Sequence, residues 1–144
     1  MSKTIKDSPD YKEYNKIFND EKTELNSFLT NDDGDAITYI ETTYPETAKE
    51  FQRLQFEQWA LFCKKQMDYG PSNIAMGTEL KTDEEKRLSK IGLIVRINDK
   101  VQRLINLVVK NNREAQNEPT MDAFKDLSVY GIIAQIVEAG KWGK

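Results

Sequence analysis

Apolar residues recur along this chain at helical spacing, and strand-like alternation is scarce. From about Glu46 to Met67, the residues Phe51, Leu54, Phe56, Trp59, Leu61, Phe62, Cys63 and Met67 cover well over half a helix circumference, while Glu46, Glu50, Arg53, Glu57 and Lys64 form a narrow polar strip. This predicts a long, mostly buried helix. Gly70 and Pro71 end it, one flexible and one unable to continue a helix, and a loop from Tyr69 to about Lys81 follows. Thr82-Asp83-Glu84-Glu85 fits a capping box, in which the threonine hydroxyl accepts from the third amide and the glutamate reaches back to the cap. A second long helix should start there. Leu88, Ile91, Leu93, Ile94, Val95, Ile97, Val101, Leu104, Ile105, Leu107, Val108 and Val109 leave it only a narrow polar sector, and Asn111 and Asn112 are expected to end it. Pro119 suits the first turn of a last helix that runs to about Glu138 and stops at Gly140.

Upstream, Tyr11, Tyr14, Phe18, Leu25 and Phe28 make a loose apolar stripe that predicts a helix from about Asp10 to Leu29. The run Asn31-Asp32-Asp33-Gly34-Asp35 reads as a turn, since its glycine and closing position do not match a calcium loop. Ile37 to Ile40 then begins a short helix or a strand. The expectation is an all-α protein, a small bundle of three to five helices. Residues 1–40 form an acidic N-terminal helix and loop, and residues 41–144 form the main helical domain, within one compact body. The wide apolar arcs on two helices leave room for a homo-oligomer, with a dimer as the simplest case.

Composition narrows the chemistry. With 144 residues, 38% hydrophobic and 31% charged, the chain suits one soluble globular domain. It has no histidine and one cysteine, Cys63, which excludes a His/Cys zinc site or a Ser-His-Asp triad built within one chain, and also an internal disulfide. A metal would have to be held by oxygen, which points to magnesium, manganese or calcium. The opening residues carry Ser2, Lys3, Lys6 and then acids in place of an apolar signal region, and no apolar stretch approaches membrane-spanning length. A cytoplasmic protein with no membrane role is expected.

Charge is unevenly placed. Between Lys86 and Arg113 stand eight Lys/Arg (Lys86, Arg87, Lys90, Arg96, Lys100, Arg103, Lys110 and Arg113) against one acid, Asp99, a local balance of +7 in a chain whose net charge is -3. Residues 1 to 50 hold twelve acids and six Lys/Arg. That acidic half argues against bulk DNA binding and for a local anion site or self-association. Arg96, Asp99, Arg103 and Asn106 fall in one helical stripe with Lys100 on its flank. Such a stripe is either a phosphate site or a solvated ladder of i,i+4 pairs. Asp122 and Asp126 lie one turn apart on the last helix, on a face that turns apolar through Val129 and Ile133, so Asp126 should be partly buried. A buried carboxylate needs a partner, here Arg96, Arg103 or a divalent ion. Asp122, nearer the helix start, suits the helix dipole. Gln55 and Gln58 fall in an apolar arc, where an amide can read a base edge or bond another helix, with Trp59, Phe62 or Tyr69 available to stack. Lys65-Gln66-Met67-Asp68-Tyr69-Gly70-Pro71-Ser72-Asn73 gathers cation, acid, phenol, hydroxyl and amide around a turn suited to gripping a ligand.

Three strings in order, Lys65-Gln66-Met67-Asp68-Tyr69-Gly70, then Ile94-Val95-Arg96-Ile97-Asn98-Asp99-Lys100-Val101-Gln102-Arg103-Leu104, then Asp122-Ala123-Phe124-Lys125-Asp126-Leu127-Ser128-Val129-Tyr130, resemble the nucleotide modification associated domain family of phages and bacteria. The resemblance spans about residues 45–142. It implies a small helical protein of phage nucleotide metabolism or DNA modification, with no defined reaction attached. A slighter likeness is to MazG-type all-α nucleoside triphosphate pyrophosphohydrolases, in which carboxylates on neighbouring helices hold magnesium. Here Asp122-x-x-x-Asp126 replaces Glu-x-x-Asp, and no Glu-Glu-x-x-Glu string precedes it.

The resulting expectation is a nucleotide-binding protein. Arg96, Lys100 and Arg103 would neutralise phosphates, and Gln58, Lys65, Asp68, Tyr69, Ser72 and Asn73 would complete the ligand site. Asp99, Asp122 and Asp126 would hold magnesium, with Asp126 and Asp99 serving a diphosphate-releasing hydrolysis that needs no histidine. The alternatives are a noncatalytic module that sequesters a nucleotide or binds a protein, and an auxiliary subunit of a DNA-modifying enzyme.

Overall fold

Thr30 opens the first described helix. Its hydroxyl accepts from the Asp33 amide at 3.2 Å while the Asp33 carboxylate accepts from the Thr30 amide at 2.8 Å, a closed capping box. These bonds hold the Asp33 carboxyl below the usual carboxylate range. The computed structural model describes residues 29–144. The helix expected from about Asp10 lies outside the described residues. The acidic run expected as a turn is instead the first turn of α1 (Asn31–Thr43), because Thr30 and Asp33 satisfy the amides that a helix start leaves open. The choice between helix and strand at Ile37–Ile40 resolves to helix for the same reason.

α2 spans Pro45–Tyr69, α3 Ser72–Ala75, α4 Asp83–Leu104 and α5 Thr120–Glu138, with a π-helical segment, Ile105–Lys110, continuing α4. No strand occurs among the described residues, so the all-α expectation holds. Thr82 caps α4 as its sequence predicts: its hydroxyl accepts from the Glu85 amide, and the Glu85 carboxylate accepts from the Thr82 amide, both at 3.2 Å. The chain divides between Arg53 and Leu54, inside α2, into two compact units. In the first, Gln52 Nε2 donates to Glu41 Oε1 at 3.1 Å and Arg53 pairs with Glu50. No residue of α1 is buried.

The second unit carries the core. Ile74, Ala75, Leu80, Leu93, Ile133, Val137 and Trp142 are buried together, with Phe62, Val129, Tyr130, Ala134 and Ile136 packed against them. α4 lies along α5. Short α3 is pinned onto α4 by the buried Ser89 hydroxyl, which donates to the Ile74 carbonyl at 2.6 Å, and the Trp142 indole N–H donates to the Pro71 carbonyl at 3.0 Å. The long helices are less buried than their apolar arcs predict. α2 has no buried residue and Met67 is 87% exposed, while α4 buries only Ser89 and Leu93. Arc width counts apolar positions, whereas burial needs a neighbour on each side, and α5 covers one side of α4 only.

Candidate anion-binding site

Phe62, Lys65, Gln66 and Tyr69 are spaced i, i+3, i+4, i+7, so they share one face of α2. Asp126, Val129, Tyr130 and Ile133 share one face of α5 by the same rule. Side-chain bonds join these helices: Ser128 Oγ donates to Gln58 Oε1 at 2.7 Å, and Lys65 Nζ donates to Asp126 Oδ1 at 3.2 Å. Beside them lies a cavity of about 320 Å³. Its apolar wall is Leu61, Phe62, Ile74, Val129 and Ile133, and Lys65, Gln66, Tyr69, Asn73, Arg96, Lys125, Asp126 and Tyr130 supply its polar lining. Apolar walls with a few convergent polar groups are the usual make-up of a small-molecule site.

Asp126 is the one carboxylate among these lining residues. Its side chain is 18% exposed and accepts from two ammonium groups, Lys65 at Oδ1 and Lys100 at Oδ2, the latter at 2.8 Å. Burial pushes the carboxyl up, but the hydrogen bonds from Lys100 and Lys65 outweigh it and hold Asp126 below its ordinary value. The bond to Asp126 in turn raises Lys100 against the opposing effect of its own burial. Arg96 Nη2 donates to the Asn73 carbonyl at 3.2 Å, which ties α4 to α3.

The structure therefore brings Arg96, Lys65, Tyr69, Asn73 and Asp126 to one cavity, with Lys100 bonded to Asp126 from α4. The expected Arg96 or Arg103 partner of Asp126 is replaced by two lysines, because both arginines spend donors on backbone carbonyls, Arg96 on Asn73 and Arg103 on Glu118. Arg103 does not line the cavity, and neither do Gln58, which is bonded to Ser128, or the exposed Asp68 and Ser72. Lys125 and Tyr130 were missed. Tyr130 carries the clearer signal, since it lies one turn beyond Asp126 on the same face of α5.

A magnesium site needs open carboxylate oxygens converging on one point. Asp126 has both oxygens engaged by ammonium groups, Asp122 lies 3.9 Å from Lys125, and Asp99 is exposed. Among the described residues no group of three or more acids, cysteines or histidines is gathered. Asp99, Asp122 and Asp126 do not fit a shared metal site as they stand.

No helix among the described residues is long and apolar enough to cross a membrane. Comparison with protein-family models, with curated proteins and with solved structures returns no match for this chain. The class the fold and cavity define is a small all-α protein with a cation-rimmed, apolar-backed pocket, and function is argued from that geometry.

Proposed function

We propose that the protein binds a nucleotide or nucleotide-derived anion in the cavity between α2 and α5, as a noncatalytic binder acting in phage-type nucleotide metabolism or DNA modification. The observation that carries this reading is charge: the lining residues include Lys65, Arg96 and Lys125 against Asp126 alone, in a chain of net charge -3. A positive rim above an apolar wall suits a ligand with a phosphate at one end and a flat ring at the other. Phe62, Tyr69 and Tyr130 offer faces for the ring, and Gln66 offers an amide for its edge. The resemblance of the three strings to the nucleotide modification associated domain supports the same ligand class.

Thermal shift with canonical and modified deoxynucleotides, with and without magnesium, tests the proposal. A ligand at about 100 times its Kd stabilises by about 2.7 kcal/mol, a rise of several degrees in Tm. Arg96→Ala and Lys125→Ala should each weaken binding by about 10-fold or more, the scale of one charge-assisted contact, and leave helix content unchanged. If both variants bind like wild type, the rim is structural. Incubation of the bound triphosphate with magnesium should return the ligand intact at one per site, and release of diphosphate would overturn the noncatalytic reading.

A further inference from the structure

The charges around the cavity come to a definite surplus. Lys65, Arg96 and Lys125 line it against the single carboxylate of Asp126, three cations less one anion, which leaves +2. The groups behind that lining offset one another. Lys100, bonded to Asp126 from α4, is balanced by Asp122, 3.9 Å from Lys125. Glu118 acts on Lys100, and Arg103 donates to the Glu118 carbonyl. Asp68 and Asp99 are exposed and line no part of the cavity.

Two of the lining cations have donors to give. Arg96 spends one donor of its guanidinium on the Asn73 carbonyl and keeps the rest of the fork. Lys125 makes no hydrogen bond among the described residues, since Asp122 at 3.9 Å lies beyond bonding distance. Lys65, by contrast, is engaged by Asp126. A surplus of +2 is matched by one phosphate monoester, which carries about 1.5 to 2 negative charges near pH ~7.

We propose, resting on the nucleotide reading above, that the ligand is a nucleoside monophosphate bound with its phosphate as the dianion. A diphosphate or triphosphate brings charge that nothing at the site balances. Magnesium would neutralise that charge, but no carboxylate here is open to the metal's waters, and a cavity of about 320 Å³ stands at the small end of ligand sites. A phosphodiester, with one charge, leaves a cation unmatched. The site also holds its charge steady while the ligand titrates. The chain has no histidine, and ordinary carboxylates titrate below about pH 5 while lysines, tyrosines and arginines titrate above about pH 7.5. The second proton of a phosphate monoester leaves between those limits, at about pH 6.

Isothermal titration calorimetry of the full chain tests this with dAMP, dCMP, dGMP, dTMP and hydroxymethyl-dCMP, and with the matching nucleosides, diphosphates and triphosphates, with and without magnesium. One monophosphate or more should bind at least about 10-fold tighter than its nucleoside, diphosphate and triphosphate, and than deoxyribose phosphate or inorganic phosphate. From about pH 7.5 to about pH 5 its Kd should rise about 10-fold, because the dianion fraction falls by that factor. The methyl ester of the same nucleotide, a monoanion at both values, should change by less than about 3-fold. Lys125→Ala should weaken the monophosphate more than the methyl ester, whereas a loss of fold would weaken both alike. A triphosphate that binds as tightly as the monophosphate, with or without magnesium, or a monophosphate Kd that does not change with pH, overturns the inference and leaves the nucleotide reading standing. Deoxyribose phosphate or inorganic phosphate binding as tightly as the nucleotides overturns both, since the base then goes unread, and so does a failure of every nucleotide to bind.

Discussion

Asp126 shows what one carboxylate does when two lysines from different helices reach it. Lys65 comes from α2 and Lys100 from α4, so the ion pairs tie both helices to α5. Its folded pKa lies below that of the unfolded chain, so the stabilisation is present above the ordinary carboxylate value near pH ~4 and is lost as pH falls through the folded value. Lys100 is raised, so its share is present below the ordinary lysine value of about 10.4 and is lost as pH rises through the folded value. Asp126→Asn should remove both shoulders from a plot of Tm against pH and cost about 1 to 3 kcal/mol at neutral pH, between the values for exposed and fully buried pairs. Urea unfolding at pH 3, 7 and 11 measures this; a variant profile parallel to wild type would show that the pairs are not coupled to folding. The sequence marked Asp126 as half-buried and in need of a partner because Val129 and Ile133 follow it on the same face. It could not name that partner, since spacing along one helix says nothing about which long side chain arrives from another.

At the level of elements, two capping boxes of the same design stand on helices of different worth. Thr82 starts α4, which packs on α5, while Thr30 starts α1, whose residues are all exposed. Thr82→Ala should therefore cost about 1 kcal/mol of global stability in denaturant unfolding. Thr30→Ala should leave the global midpoint unchanged and speed amide exchange only within α1. Equal global losses would mean that α1 unfolds together with the second unit. The box at Thr82 was legible because a long apolar-periodic segment follows it. The one at Thr30 was hidden by a glycine and three aspartates that read as a turn, although Asp33 at the third helical position was the cue. The π-helical segment at Ile105–Lys110 left no mark in the periodicity, because one wider turn only shifts where an apolar run faces: Leu107 is buried while Val108 and Val109 are exposed.

At the scale of the whole molecule, helical class was plain from the sequence and burial was not. More large hydrophobic side chains are exposed than buried among the described residues. The apolar arcs of α2 and α4 announce helices correctly but cannot say how many neighbours each helix has, so they promise a larger core than the chain by itself provides. The core that exists is concentrated in the second unit, where Ala123 and Val137 of α5 are completely enclosed and Leu93 of α4 nearly so. Opening free energy follows buried apolar contact, so the two units should open separately and at different cost. Hydrogen exchange followed by mass spectrometry should find the α5 amides around Ile133 and Val137 protected at least ~100-fold more than those of α1, a gap of about 2.7 kcal/mol in opening free energy. A nucleotide bound in the cavity touches α2, α3, α4 and α5, and should slow exchange in those helices while leaving α1 unchanged. Uniform protection across α1 and α5 in the free protein would show a single cooperative body and overturn the division at Arg53.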